Sequence, residues 1–251
     1  MSHRTIRVRQ EPPVCFLTLD RPDAGNAINR TMVEELRDAL RGLDRSVHVV
    51  VLEGSEAVFC VGADFQDFAD DAAPAGVDPG DLYDLWLDLA TGPFVSVAHV
   101  RGKVNAGGVG FVAACDIALA DASAEFSLSE LLFGLFPSCV QPFLARRTGF
   151  QRAHYLTLTT RPVPAAQALS WGLVDAVEAD SALLLRRHLQ RLRRLSKDGV
   201  RRYKDHVAMV NPALTDARSA AVAANRAMFS DPATREGLAR YTRTGLFPWE
   251  E

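Results

Sequence analysis

The hydrophobic and polar positions of this chain change character along its length, and the change predicts its layers. Val14-Cys15-Phe16-Leu17-Thr18-Leu19 is an almost unbroken apolar run closed by Asp20-Arg21-Pro22-Asp23, which predicts a buried strand. Val47 to Leu52, rich in β-branched residues, predicts a second, and Phe94 to Val100 a third. Between them Val33, Leu36, Leu40 and Leu43 recur at helical spacing, with Thr31-Met32-Val33-Glu34 resembling a capping box at the start. Asp70 to Asp81, rich in Ala, Asp, Gly and Pro, predicts a mobile surface loop, with a helix from about Leu82 to Ala90 after it. Ile117 to Ala120 predicts a short strand, and Ser127 to Leu135 a turn and a short helix stopped near Pro137.

Beyond Val140 helical periodicity takes over. Pro164 to Trp171 predicts a short helix with Gly172 at its stop, and Leu173 to Val177 a last strand. Ser181 to Tyr203 predicts one basic helix. Asn211-Pro212 and Asp231-Pro232 open two more. Strands mixed with helices, then a helical tail, indicate an α/β protein with a βαβ-type core. No internal repeat is evident.

Composition narrows the class. The 251 residues, 48% hydrophobic and 24% charged with net charge −3, suit an ordinary globular protein with a full core. They give no strong field for nucleic acid or a membrane. No apolar run reaches membrane-spanning length, and Met1-Ser2-His3-Arg4 leads into alternating residues instead of a signal core. Cys15, Cys60 and Cys115 sit in apolar strings without CxxC spacing, which suggests reduced buried thiols and a cytoplasmic location. The scattered histidines show no metal-binding spacing, so no metal is expected.

Two segments are built for close backbone approach: Val58-Phe59-Cys60-Val61-Gly62-Ala63-Asp64, and Gly102 to Gly110 running on to Asp116. Converging N–H donors in such turns form an oxyanion hole. Glu130 follows among Leu128, Leu131, Leu132 and Phe133, where desolvation would raise its pKa toward the range useful for proton transfer. Ser127-Leu128-Ser129-Glu130 also fits a capping box, which would make Glu130 a surface cap. Gly108-Val109-Gly110-Phe111-Val112-Ala113 fits the dinucleotide pattern G-x-G-x-x-A, although mid-chain. Asp64 reads either as a site residue or as the N-cap of a following helix. Arg101 and Lys103 flank the glycines, as solvated charges or as partners of a substrate anion. The basic stretch Arg186 to Lys204 is either a solvated helix face or a dock for a phosphopantetheine arm or an acidic carrier protein.

These segments together resemble the crotonase (enoyl-CoA hydratase/isomerase) superfamily. The likeness runs through Asp20-Arg21-Pro22, Asn26-Ala27-Ile28-Asn29, Phe59 to Asp64, Gly102 to Asp116, Phe126 to Pro137 and Trp171-Gly172-Leu173-Val174. It implies a crotonase-like spiral of ββα units over 1–190, and a helical C-terminal trimerisation region over 191–251. It implies a homotrimer or hexamer. The substrate would be an acyl thioester on an acyl carrier protein or coenzyme A, with no separate cofactor. It makes Ala63 and Gly107 the oxyanion donors and Glu130 the catalytic carboxylate. Gly62, Asp64, Lys103, Gly108 and Pro137 are the candidate substrate-binding residues. Hydratases of this family carry a second glutamate, which falls here on Gly110. Val104 to Gly108 and Phe126 to Leu135 are most similar to the dehydratases of polyketide β-branching cassettes. These are expected to convert 3-hydroxy-3-methylglutaryl-acyl carrier protein to the 3-methylglutaconyl thioester. The alternative is a crotonase-family decarboxylase, hydratase or isomerase.

Overall fold

The computed structural model describes residues 3–64 and 76–250. The alternating residues at the start form β1 (Ile6–Glu11), which pairs antiparallel with β2 (Val14–Leu19), Ile6 opposite Leu19. Three repeats of strand, strand and helical segment follow. The first is β3 (Val49–Glu53), β4 (Val58–Cys60) and α2 (Pro79–Thr91), preceded by α1 (Arg30–Arg41). The second is β5 (Val95–Val100), β6 (Lys103–Asn105) and α3 (Gly107–Ala114). The third is β7 (Ile117–Asp121), β8 (Glu125–Ser127), a 3-10 turn at Glu130–Phe133 and α4 (Gln141–Thr148).

The first strand of each repeat enters a six-stranded sheet and the second enters a four-stranded sheet. The six-stranded order is β1-β2-β3-β5-β7-β10, with β10 at Ala176–Glu178. The four-stranded order is β4-β6-β8-β9, with β9 at Val163–Pro164. Successive repeats pair in parallel in both sheets, Val51 beside Val97 and Val104 beside Phe126. This is the crotonase-like spiral of ββα units, with a helical C-terminal region after it.

The long strands of the large sheet are apolar on both faces because both are covered. On one face Cys15, Leu17, Val50, Leu52 and Ala98 join the main core with α1, α2 and α3. On the other, Val14, Phe16, Val49, Val51 and Val97 meet Leu184, Leu185 and Leu189 of α7 (Ser181–Leu192). The remaining helices are α5 (Phe150–Thr159), α6 (Ala165–Ser170), α8 (Lys197–Val210), α9 (Ala213–Ser230) and α10 (Pro232–Thr244). Among the described residues no helix is long and apolar enough to cross a membrane.

Several boundaries differ from expectation for local reasons. Helix α1 is capped by Asn29, whose side chain accepts from the Met32 N–H, so the Thr31 capping box does not form. Helix α2 starts at Pro79, three residues before Leu82, because Asp78 caps the Gly80 N–H and proline suits the first helical position. Of the expected Asp70 to Asp81 loop, 70–75 lie outside the described residues. The single basic helix over Ser181 to Tyr203 is two, broken at Arg193 to Ser196, where Ser196 caps Gly199. Helix α7 runs across 190/191, and Leu214, Ala221 and Val222 of α9 belong to the main core.

Candidate active site

The Arg21 and Asn26 motifs turn out to be clamps on the first glycine segment. Asn26, at φ +56°, donates from Nδ2 to the Val58 and Phe59 carbonyls, 3.1 Å each. The Val61 N–H donates to the Gly25 carbonyl, the Ile28 N–H to Gly62, and the Asp64 N–H to Ile28. Arg21 donates to the Ala27 carbonyl at 2.5 Å and pairs with Asp64 at 2.8 Å, the side chains being 21% and 9% exposed. Ala63 is therefore held by a short parallel bridge to Ile28 and by a mostly buried ion pair beside it.

The second segment is pressed against the first by its small residues. A Cβ on Gly62 would lie 2.7 Å from the Ala106 Cβ and 3.3 Å from the Gly107 nitrogen. A Cβ on Gly108 would lie 2.3 Å from the Cys60 carbonyl oxygen. Ala106 takes φ +49° and ψ −120°, a backbone conformation that costs an L-residue energy, and it turns the chain from β6 into α3 at Gly107. Among the described residues no acceptor meets the N–H of either Ala63 or Gly107.

Glu130 opens the 3-10 turn. The capping-box alternative is overturned, because both serines are engaged by Asn105. Asn105 Nδ2 donates to Ser129 Oγ at 2.8 Å, and Ser127 Oγ donates to Asn105 Oδ1 at 2.9 Å. Asn105 Nδ2 also reaches the Val61 carbonyl at 3.4 Å, so one amide ties both donor segments to the glutamate turn. The Glu130 Oε2 atom is buried and has no partner among the described residues. Burial pushes the carboxyl up to about 7, an effect its own backbone hydrogen bond only partly offsets. The turn is held from behind by the C-terminal helices. Phe133 and Leu135 pack with fully buried Leu238, and the Phe133 ring lies 4.9 Å from Tyr241 and 5.4 Å from Phe247.

Ala63, Asp64, Gly107, Glu130 and Pro137 line one cavity of about 680 Å³. Gly62 and Gly108 lie behind its wall, where they bring the two segments together. Lys103 is exposed on β6 outside the cavity, and Arg101 reaches Glu56 and the Gly54 carbonyl. The cavity's cations come instead from elements that sequence reasoning did not connect: Arg30 of α1, Arg226 of α9 and Arg235 of α10. Arg226 is paired with Asp78 at 2.8 Å. Trp86 of α2 and Asn105 are further lining residues without a sequence signal of a site role. Cys139 also lines the cavity, but burial raises its thiol to about 11, so it stays protonated.

One alternative is excluded by placement. Gly108 and Gly110 are interior to α3 and packed against Cys60 and Trp86, so the G-x-G-x-x-A match is helix packing and not a phosphate loop. The basic stretch belongs to α7, on the opposite face of the large sheet, and to α8. Lys204 is buried, pairs with Asp116 at 2.7 Å and donates to the Phe94 carbonyl. Arg187 pairs with Glu178, and Arg201 and Arg202 with Asp198. None of the stretch lines the cavity.

A spiral of ββα units carrying paired backbone donors and a buried carboxylate defines a class, and residues 9–251 match the enoyl-CoA hydratase/isomerase family model. The chain belongs to that family and is an enzyme of the hydro-lyase type. Within the family it is 51% identical to the bacillaene synthase dehydratase PksH of Bacillus subtilis (strain 168), over 100% of the chain and 98% of that protein. It is 35% identical to a probable enoyl-CoA hydratase of Rhizobium meliloti (strain 1021), over 73% of the chain and 72% of that protein. A crystal structure of a polyketide biosynthesis enoyl-CoA hydratase (pksH) from Bacillus subtilis superimposes with a TM-score of 0.95 at 51% identity, covering 98% of this chain and 100% of that one. An enoyl-CoA hydratase from Mycobacterium avium subsp. paratuberculosis K-10 follows at 0.86 and 25% identity, each chain fully covered.

Proposed function

We propose that the protein dehydrates a 3-hydroxyacyl thioester, 3-hydroxy-3-methylglutaryl on an acyl carrier protein, to the 3-methylglutaconyl thioester during polyketide biosynthesis. The observation that carries this reading is the Glu130 carboxyl, whose buried Oε2 has no partner among the described residues and which burial raises to about 7 in the cavity that also holds Ala63 and Gly107. The likeness to a bacillaene synthase dehydratase supports the polyketide context.

The thioester oxygen sits between the Ala63 and Gly107 N–H groups, which stabilise the enolate that forms when Glu130 removes the α-proton. The β-oxygen then leaves and takes that proton from Glu130 as water departs. A pKa near 7 suits both halves of this cycle, because the group must accept a proton and then release it. Decarboxylation of a glutaconyl thioester needs no α-proton base, so a retained, desolvated glutamate favours dehydration over that alternative. The distal carboxylate of a glutaryl chain requires a cation, and Arg30, Arg226 and Arg235 bring three to the cavity wall. The acyl carrier protein is the partner in this reading, with the helical C-terminal region serving assembly as a homotrimer or hexamer.

Intact-protein mass spectrometry of carrier protein loaded with 3-hydroxy-3-methylglutaryl tests it. Loss of one water is expected. An unchanged carrier, with carbon dioxide lost from supplied 3-methylglutaconyl carrier, would make the protein a decarboxylase instead.

A further inference from the structure

One cavity side chain has no part in the elimination written above. Trp86 is 1% exposed and lies edge-on to Phe111 at 6.0 Å and to Phe143 at 5.8 Å. Its ring occupies the space where a side chain at Gly110 would stand. A Cβ on Gly110 would be 2.5 Å from Cζ2, 2.7 Å from Cη2 and 2.8 Å from Cε2. The same edge approaches the oxyanion turn, Cζ2 being 3.7 Å from where a Gly107 Cβ would be. The indole Nε1 is bonded to Cε2, so it belongs to this edge. Nε1 is buried and meets no acceptor among the described residues.

A buried Trp N–H normally finds a partner, and leaving one unmade carries the full desolvation penalty of the donor. Such a cost persists where the missing partner arrives with a ligand. We propose that Trp86 donates its indole N–H to the β-oxygen of the substrate, in the place a second acid would otherwise take. The inference rests on reading the reaction as elimination from a 3-hydroxyacyl thioester.

The chemistry of an indole defines the role. It is a donor only and does not give up its proton, so it acts as a fixed dipole toward charge developing on the leaving oxygen. Glu130 takes the α-proton, and the Cα–H electron pair forms the enolate. That pair then makes the new C=C bond as the Cβ–O bond breaks. The departing oxygen keeps its bonding pair and receives the proton held by Glu130, while Trp86 keeps its hydrogen. Distance selects the β-oxygen. Gly107 and Gly110 are separated by about 4.5 Å along α3, the span between an oxygen on the first carbon of an acyl chain and one on the third. The distal carboxylate of a glutaryl chain lies beyond that reach.

The chain has 3 tryptophans, hence three indole N–H resonances, and Trp86→Phe identifies the relevant one. Glu130→Gln holds substrate without turnover. In that variant the 3-hydroxy-3-methylglutaryl thioester is expected to move the Trp86 proton downfield, whereas the 3-methylglutaryl thioester, which lacks the hydroxyl, leaves it in place. Equal shifts with both, or none with either, would overturn the inference. Kinetics give a second reading. Trp86→Phe is expected to lower kcat for dehydration about 100-fold with little change in KM. It should spare deuterium exchange at the α-carbon of the 3-methylglutaryl thioester, which needs only Glu130 and the two amides. Equal loss of both activities would make Trp86 a packing residue. A wild-type protein that dehydrates while its Trp86 signal stays unmoved sinks this inference alone. One whose signal responds to the hydroxyl but which releases no water sinks the dehydratase reading instead.

Discussion

Replacing Glu130 with glutamine should do two opposite things, and their pH dependence is set by one number. The carboxyl is raised from 4.5 to about 7 by burial, so the folded protein binds this proton more tightly than the unfolded chain. Its stabilising effect is complete below about pH 4.5, fades as pH rises, and is gone above about pH 7. A shift of that size is worth about 3 kcal/mol. Glutamine keeps the shape and has no proton to lose. Glu130→Gln should therefore gain on the wild type by about 2 to 3 kcal/mol between pH 5 and pH 8. For a chain of this size that is about 5–10 °C in Tm. Turnover should fall at least about 100-fold, as expected for loss of a general base.

Urea denaturation of both proteins at pH 5, 6, 7 and 8, with m-values compared, measures the first effect. A stability gap that is flat with pH would show that the carboxylate is well solvated, and the burial argument would fail. A gap that closes toward pH 8 would require a hidden cationic partner. In the wild type, kcat/KM should rise tenfold per pH unit below about pH 7 and level off above it. A plateau already reached at pH 5 would contradict the same number from the kinetic side.

Other consequences follow from packing. Gly110→Ala places a Cβ 2.5 Å from Trp86 Cζ2 and should cost about 1–3 kcal/mol of overpacking, relieved by a second change of Trp86→Leu; additive losses in denaturation would refute the contact. Arg21→Met removes the 2.8 Å ion pair to Asp64 and the donor to the Ala27 carbonyl and should cost about 3 kcal/mol while lowering kcat through Ala63. The double variant with Asp64→Asn should recover part of the stability in urea titrations. Leu238→Ala should cost about 2–5 kcal/mol and lower kcat at constant folded fraction, because Leu238 backs the Glu130 turn. Unchanged kcat would show that α10 does not position the glutamate.

The elements readable in advance were those whose signal is local. β2, β3, β5 and β7 are covered on both faces, so each is a run of apolar or β-branched residues. The second sheet escaped because β4, β6 and β8 have three residues each and β9 has two. No periodicity fits in three residues, and their existence depends on partners far along the chain, as Val58 on Lys103. The α7–α8 break has a local signal as well: Ser196, two residues before Asp198, is an ordinary N-cap.

The site divides along the same line. Glycines announce close backbone contact in the sequence, so Gly62, Gly107 and Gly108 mark the two closely packed turns beside the cavity without any knowledge of their partners. A glycine does not name what fills the room it leaves. Gly110 was visible as a missing acid, and in isolation that absence suggests a weakened or inactive enzyme. The structure changes the meaning of the residue, because α2 crosses α3 at this turn and Trp86 occupies the space. The indole and a side chain at 110 exclude one another, because a Cβ there would stand 2.5 Å from Trp86 Cζ2 with the ring in this position. Position 110 thus has a definite test of its own. A glutamate introduced there should restore two-carboxylate chemistry only if Trp86 is trimmed in the same protein, and Gly110→Glu alone should give a poorly folded chain in thermal denaturation. A well-folded, active single variant would mean that the ring moves aside freely, and the coupling argued here between α2 and α3 would have to be abandoned.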